Sequence, residues 1–148
     1  MLDELDLKIL RTLQSNGRTK RNVLAEQVGL TIPPVSDRLK KLEENGIIEG
    51  YYAKVKRQAF GFDILAFILV MMDSSKHYKD LIKHVEKNPS VIECYSVLGE
   101  GSHILKVAEK NTESLEKLLS EIQTWTGVTS TKTTYVLSTI KETTSINI

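Results

Sequence analysis

At 148 residues with 41% hydrophobic side chains, the chain holds enough apolar material for one large domain or two small ones and is not a disordered tail. A net charge of +1 excludes a protein coated in basic residues for indiscriminate nucleic-acid binding. The lone cysteine, Cys94, excludes an intrachain disulfide and a thiolate zinc cage, and fits a reducing cytoplasm. Ile64 to Met72, the longest apolar run, is about half of what a membrane-spanning helix needs. Acidic Asp3, Glu4 and Asp6 stand where a signal peptide would be basic, so a soluble cytoplasmic protein is expected.

The charge is unevenly spread. Residues 1–60 carry 11 Lys and Arg against 8 Asp and Glu, whereas residues 61–148 carry 9 against 11. Between Arg11 and Lys41 the excess reaches +5, a placement that a phosphate backbone rewards.

A first helix is predicted to start at Asp3, a residue suited to capping free amides, with Glu4 and Asp6 in the positive first turn. Leu5, Ile9, Leu10 and Leu13 form its stripe, and Asn16-Gly17 ends it. Thr19 is the expected cap of a second helix with Val23, Leu24 and Val28 turned inward. A third helix starts near Thr31, where Pro33 and Pro34 are tolerated because the first turn has no use for their missing amide hydrogens. It ends at Asn45-Gly46. Ala25 is small where a crossing helix must approach, and Gly29 supplies the turn, so RNVLAEQVGLTIPPVSDRLKKL over residues 21–42 has helix-turn-helix spacing. Val35, Leu39 and Leu42 recur at helical intervals, which turns Pro33, Ser36, Asp37, Lys40 and Lys41 outward.

Ile47, Ile48, Tyr51, Tyr52 and Val55 then favour extended structure about Glu49-Gly50 and predict a β wing. The basic connector KRQAFGF at residues 56–62 places a domain boundary near residue 60, with a winged helix-turn-helix over 1–60 and a second domain over 61–148. The second part repeats a strand-helix-strand unit. Ile64 to Met72, a helix striped by Tyr78, Leu81, Ile82 and Val85, and Val91 to Leu98 make the first. Ile104 to Ala108, a helix striped by Leu115, Leu118, Leu119 and Ile122, and threonine-rich Val128 to Ile140 make the second. Together they predict an α+β chain whose C-terminal domain is a ferredoxin-like βαββαβ sheet with both helices on one face. Because Ile64 to Met72 contains no polar residue, both of its faces require cover, and a second subunit laid sheet against sheet provides it. Burying a few such side chains at roughly 1.5–3 kcal/mol each favours that dimer.

The acidic opening LDELDLKIL, then VLAEQVGL, then PPVSDRLKKLEENGIIEGYYA, and finally a βαββαβ domain with the glycine turn LGEGSHILKV, resemble the Lrp/AsnC family of feast/famine transcriptional regulators over nearly the whole chain. The resemblance implies double-stranded DNA binding by Thr31 to Lys41, a homodimer formed through the second-domain sheets, octamers of four dimers, and control by a small molecule, usually an amino acid. It implies an effector site at the turn between the second and third strands, here Gly99, Glu100, Gly101 and Ser102, with Thr131 and Thr133 of the last strand. The family turn commonly reads Gly-x-x-Asp. Ser102 at its last position lacks the carboxylate that would pair a ligand ammonium, which argues against an amino acid and leaves a different effector, or none, open.

Weighed residue by residue, Arg18, Lys20, Arg21, Lys40 and Lys41 are candidates for phosphate contact, and Ser36 and Lys40 for reading base edges, against the plain alternative of a solvated surface. Arg38 lies nearer the buried side, where a local salt bridge competes with phosphate. Asp37 repels phosphate unless it accepts from cytosine or pairs with Lys40 or Lys41, and the intrahelical pair is favoured. Gly99 and Gly101 are equally well read as hairpin residues, and the threonines as ordinary strand formers. His77, His84 and His103 with Cys94 and Glu93 invite a metal or catalytic reading only weakly, so no metal, cofactor or enzymatic activity is expected. Two other classes compete. Some tetrapyrrole decarboxylases resemble the same two-domain plan, but they need a basic, histidine-bearing cavity, whereas the basic residues here cluster on the helix-turn-helix. RNA binding by the sheet needs stacking aromatics that Leu105 to Lys110 lacks.

Overall fold

The computed structural model describes every residue from Met1 to Ile148. It divides into two compact units, Met1–Lys54 together with Lys141–Ile148, and Val55–Ile140. The basic connector thus lies in the second unit, while the last eight residues lie with the first.

Three helices build the first unit: α1 (Glu4–Ser15), α2 (Arg21–Val28) and α3 (Ile32–Glu44). Asp3 caps α1 by accepting from the Asp6 N–H at 2.9 Å, and the Asp6 carboxylate accepts in return from the Asp3 N–H at 3.0 Å. At Gly29 the chain turns from α2 into α3 with φ 69°, a left-handed conformation that side chains resist. Ile9, Leu24, Ala25, Val35 and Leu39 form the core, with Leu13, Val28, Leu30 and Ile48 packed around it.

Three local expectations are corrected. Thr19 does not cap α2: its hydroxyl donates to the Asn16 carbonyl at 2.7 Å, and the cap position falls to Lys20, whose side chain makes no capping bond. Val23 is 38% exposed rather than inward, because Leu24 and Ala25 take the buried positions of this short helix. No wing forms either. Residues 47–56 contain no strand, and Tyr52 and Val55 are exposed. Ile48 is drawn into the helical core instead, and the Tyr51 hydroxyl donates to Glu43 Oε1 at 2.9 Å. Two arms this short make too few ladder bonds to hold a ribbon without a third strand. Partial burial, then the Glu43 carboxylate, pushes the Tyr51 phenol up to about 12.

The second unit runs β1 (Ile64–Met72), α4 (Tyr78–Lys87), β2 (Val91–Ser96), β3 (His103–Glu109), α5 (Thr112–Thr124) and β4 (Val128–Tyr135). The sheet order is β2-β3-β1-β4 with every pair antiparallel, which is the expected ferredoxin-like arrangement. Two strands stop earlier than the apolar and threonine patterns suggest, at Ser96 and Tyr135. Past Tyr135 only the Val136 N–H still reaches across, to the Leu65 carbonyl at 2.9 Å.

Alternation along β1 places Ala66, Ile68 and Val70 under the helices, where they form the main core with Leu81, Leu105, Val107, Leu118, Ile122 and Trp125. Phe67, Leu69 and Met71 point to the other face and are only half-buried. Ile104 pairs with Leu69 on that face, Tyr95 pairs with Ile104 and is 54% exposed, and Lys106 and Glu93 form an ion pair at 3.2 Å beside them. The helix-free face of the sheet is therefore largely apolar within one chain.

Replacing Gly29 by Ala meets no steric obstacle but forces a side chain into the left-handed region. Gly29→Ala is expected to lower the unfolding free energy by roughly 1–2 kcal/mol in a denaturant titration followed by helical circular dichroism.

Candidate nucleic-acid interface and effector turn

The outer side of α3 is set by what its inner side buries. Val35, Leu39 and Leu42 face the core, which leaves Pro33, Asp37, Lys40 and Lys41 exposed and Ser36 half-exposed. Thr31 stands at the helix cap position without a capping bond from its side chain. Ile32, in the first turn, is 47% exposed, an apolar side chain that pattern reading overlooked because it precedes the two prolines rather than joining the stripe.

Arg21 of α2 reaches across to α3, its Nη1 donating to Ser36 Oγ at 3.2 Å, so these two candidates form one unit. Lys41, Lys20 and Arg18 form no ion pair. The Arg18 backbone N–H donates to Asn16 Oδ1 at 3.1 Å in a local turn, and its guanidinium is left exposed. Arg11, Arg18 and Lys20 line a shallow open groove between α1 and α2 whose floor includes Val23 and Gln27. The α2 N-terminus opens nearby without a side-chain cap, so its amide dipoles add to the positive potential.

Two charged residues are placed otherwise than the spacing suggests. Asp37 forms no pair with Lys40 or Lys41. Lys40 turns toward Glu44 at 3.8 Å, the neighbour one turn closer to the helix end, and an exposed pair of this kind is too weak to hold Asp37 as well. Arg38 is spent inside the protein: its Nη1 lies 2.7 Å from both Asp3 Oδ2 and Asp6 Oδ1. The guanidinium thus joins α3 to the capping box of α1, a partnership 35 and 32 residues distant that local pattern does not reveal.

At the other candidate site, the turn after β2 holds Gly99, Glu100, Gly101 and Ser102. Gly99 has φ 149°, and a Cβ at Gly101 would come within 2.6 Å of Leu69 Cγ and 3.1 Å of the Val70 carbonyl, so both glycines serve the backbone. Ser102 donates to the Val70 carbonyl through its N–H at 3.0 Å and its hydroxyl at 3.2 Å. Val70 in turn pairs with Thr131 on β4, which brings the turn and the strand to one edge of β1. Thr131 and Thr133 share the helix-side face, Thr131 lying 3.5 Å from Gln123 Nε2 and Thr133 exposed. Glu100 is held by Lys132 at 3.0 Å. Lys132 was not among the expected residues, since its neighbours on the strand carried the threonine pattern.

The histidines disperse. His77 Nδ1 meets Asp73 at 2.8 Å, His84 stacks on Trp125 with centroids 4.9 Å apart, and buried His103 lies against Ser102 Oγ at 2.9 Å and edge-on to Tyr78. Burial holds the His103 imidazole below its ordinary value. Cys94 is half-buried on β2, and burial pushes its thiol up.

Comparison with known proteins identifies the two domains. Residues 2–49 match winged helix-turn-helix DNA-binding domains, and residues 65–146 match the Lrp/AsnC ligand binding domain. The chain belongs to the Lrp/AsnC family. The HTH-type transcriptional regulator FL11 of Pyrococcus horikoshii is 35% identical, with 99% of this chain and 97% of that protein covered. The leucine-responsive regulatory protein of Rhizobium meliloti is also 35% identical, over 99% and 96% of the two chains. Among solved structures, a Neisseria meningitidis transcriptional regulator in complex with L-methionine superposes with TM-score 0.93 at 32% identity, covering 99% and 97% of the chains. The feast or famine regulatory protein of M. tuberculosis, also complexed with L-methionine, gives 0.92 at 32% identity, covering 99% of each. As a member of this family the protein is a helix-turn-helix transcriptional regulator.

The Asp3 carboxyl is held below its ordinary value by the Asp6 backbone N–H and by Arg38. A carboxylate depressed on folding stabilises above the unfolded value and loses that contribution as pH falls through the folded one. The melting temperature of Asp3→Asn is therefore expected to lie below that of the unaltered protein at pH 7, and the two to converge as pH falls below the ordinary carboxylate range.

Proposed function

We propose that this Lrp/AsnC regulator reads specific duplex sequences as a dimer, with α3 in the major groove and basic side chains from α2 and the preceding loop on the phosphates. The observation that carries this reading is the exposed outer side of α3 beside the cluster Arg18, Lys20 and Arg21, none of which forms an ion pair. Phosphate contacts from Arg18, Lys20 and Lys41 set register, while Ser36, Lys40 and Asp37 face base edges. Arg21 donates to the Ser36 oxygen, which frees the serine hydrogen to point outward toward acceptors such as guanine N7 or O6. Unpaired Asp37 suits a cytosine amino group, and Ile32 suits a thymine methyl. Arg38 positions α3 from behind rather than touching DNA.

The dimer follows from the helix-free face of the sheet. Phe67, Leu69, Met71, Ile104 and Tyr95 form an apolar surface that a second copy covers with the same surface, as two-fold symmetry requires. Such a dimer offers two recognition helices to half-sites one helical turn, or a multiple of it, apart. We place this role in the cytoplasm; no helix of the chain is long and apolar enough to cross a membrane. The relatives are named as regulators, which favours this reading over a tetrapyrrole decarboxylase.

Two relatives hold L-methionine, and the family's ligand binding domain covers the turn and β4, so a small molecule at Gly99–Ser102 with Thr131 and Thr133 is the proposed control. Binding there shifts the assembly among arrangements of its reading heads and so changes which DNA spacing is favoured. Glu100 is paired with Lys132 and Ser102 carries no charge, so an ammonium group meets no unpaired carboxylate on this turn.

Selection of bound fragments from random DNA tests the reading directly and is expected to return a two-fold symmetric motif. On the selected duplex, Lys40→Ala with Lys41→Ala should weaken binding and lower the slope of log affinity against log salt by about 1, the share of the Lys41 phosphate contact, whereas Arg38→Ala should weaken binding with the slope unchanged. An unchanged slope in the lysine variant removes the proposed contacts. Adding L-methionine to the same assay is expected to leave affinity unchanged. A shift would show that the amino acid is read by groups other than a turn carboxylate.

A further inference from the structure

After β4 the chain does not end on the sheet to which β4 belongs. Six residues beyond Tyr135, at Lys141, it joins the DNA-reading unit, where residues 141–148 lie along α1. The fastening is specific. Gln14 makes a two-point amide bond with Ile146, its Oε1 accepting from the Ile146 N–H at 2.7 Å and its Nε2 donating to the Ile146 carbonyl at 3.0 Å. Ser145 Oγ donates to the Gln14 carbonyl at 3.2 Å, and Arg11 Nε donates to the Ile148 main-chain oxygen at 2.6 Å. At the start of the segment, Glu142 pairs with Lys54 at 2.7 Å.

These contacts grip the C-terminal half of α1. The N-terminal end of the same helix is gripped by Arg38, which projects from the recognition helix onto Asp3 and Asp6. A capped helix is stiff, so a displacement at Gln14 is carried to Asp3, and from there to the helix that reads DNA. The same segment is continuous with β4, the strand that carries Thr131 and Thr133. The contacts are solvent-exposed hydrogen bonds, individually weak and therefore releasable.

We propose that residues 141–148 form a releasable strap that braces the reading unit through α1 and the Arg38 clamp, so that DNA affinity depends on whether the strap is docked. The dependence on DNA rests on the regulator reading above, but the docking itself does not, and the two are separable by experiment.

In the full chain, Gln14→Ala removes both halves of the amide bond while keeping a good helix former. Amide hydrogen exchange should become faster at Ser145 and Ile146 and across Leu10 to Ser15. If exchange at α1 is unchanged, the brace is wrong whatever happens with DNA. On a duplex selected from random DNA, Gln14→Ala should bind at least fivefold more weakly with the salt slope of the unaltered protein, and deletion of 141–148 should do the same. The effect of Gln14→Ala should shrink when Arg38→Ala is also present, because the clamp lies between strap and recognition helix. Unchanged or tighter binding by Gln14→Ala, a changed salt slope, or effects of Gln14→Ala and Arg38→Ala that simply multiply, would each overturn the proposal. Should the deletion fail to fold, the point variant decides alone. Should the unaltered protein bind no duplex, the regulator reading fails while the exchange experiment still judges the strap.

Discussion

A strand without a single polar side chain has to be covered on both faces, and β1 is such a strand at an interior position of its sheet. One face is satisfied within the chain. Ala66, Ile68 and Val70 are wholly buried beneath Leu81, Leu118, Ile122 and Trp125. On the other face Phe67, Leu69 and Met71 remain half-buried, together with Ile104. This asymmetry ties the fold of the second unit to association, and association to the proposed pairing of reading heads. The sheet thus acts as more than a scaffold: the same strand that organises its core presents the apolar face proposed above for a second copy.

In the first unit the organising question is which charges are spent on the protein itself. Seven basic residues crowd between Arg11 and Lys41, but they are not equivalent. Arg38 is committed to Asp3 and Asp6, Arg11 to the Ile148 main-chain oxygen and Lys40 to Glu44, the last only loosely. Arg18, Lys20 and Lys41 keep their charge free of an ion pair, and Arg21 meets a neutral hydroxyl. A positive residue already neutralised adds little to phosphate binding, so the distribution of ion pairs sharpens a basic cluster into a smaller set of contacts. The clamp at Arg38 has the opposite value: it ties α3 to the N-terminal end of α1, the helix end proposed to set how α3 meets the bases.

At the Gly99–Ser102 turn, the proposed effector site, backbone shape and charge have separate sources. Gly101 packs against Leu69 and Val70 so closely that a side chain has no room, and Ser102 is turned onto the Val70 carbonyl. The turn keeps its shape by these contacts, and neither Gly101 nor Ser102 brings a charge to it. Glu100, one step away, is satisfied by Lys132 from the neighbouring strand. Shape and charge at this turn are thus set by different residues, and one is free to vary while the other is held by the core.

The order of elements, the positions of Gly29, Val35, Leu39 and Leu42, and the doubled strand-helix plan were legible in the sequence, because they depend on periodicity and on backbone conformations that few residue types permit. The outward side of α3 was legible for the same reason: naming the buried side of a helix names the other. Short-range pairing misled where exposed groups had rival partners, as with Asp37 and Lys40, or where a strand signal lacked a partner strand, as with Ile47 to Val55. Long-range partnerships were invisible: Arg38 with Asp3 and Asp6, Glu100 with Lys132, and residues 141–148 with Gln14. Local chemistry along the chain determined which segments become helices and strands and which faces they bury. Only the tertiary structure decided which charges and amides meet, because side chains tens of residues apart become neighbours through packing, and no spacing in the sequence records that distance.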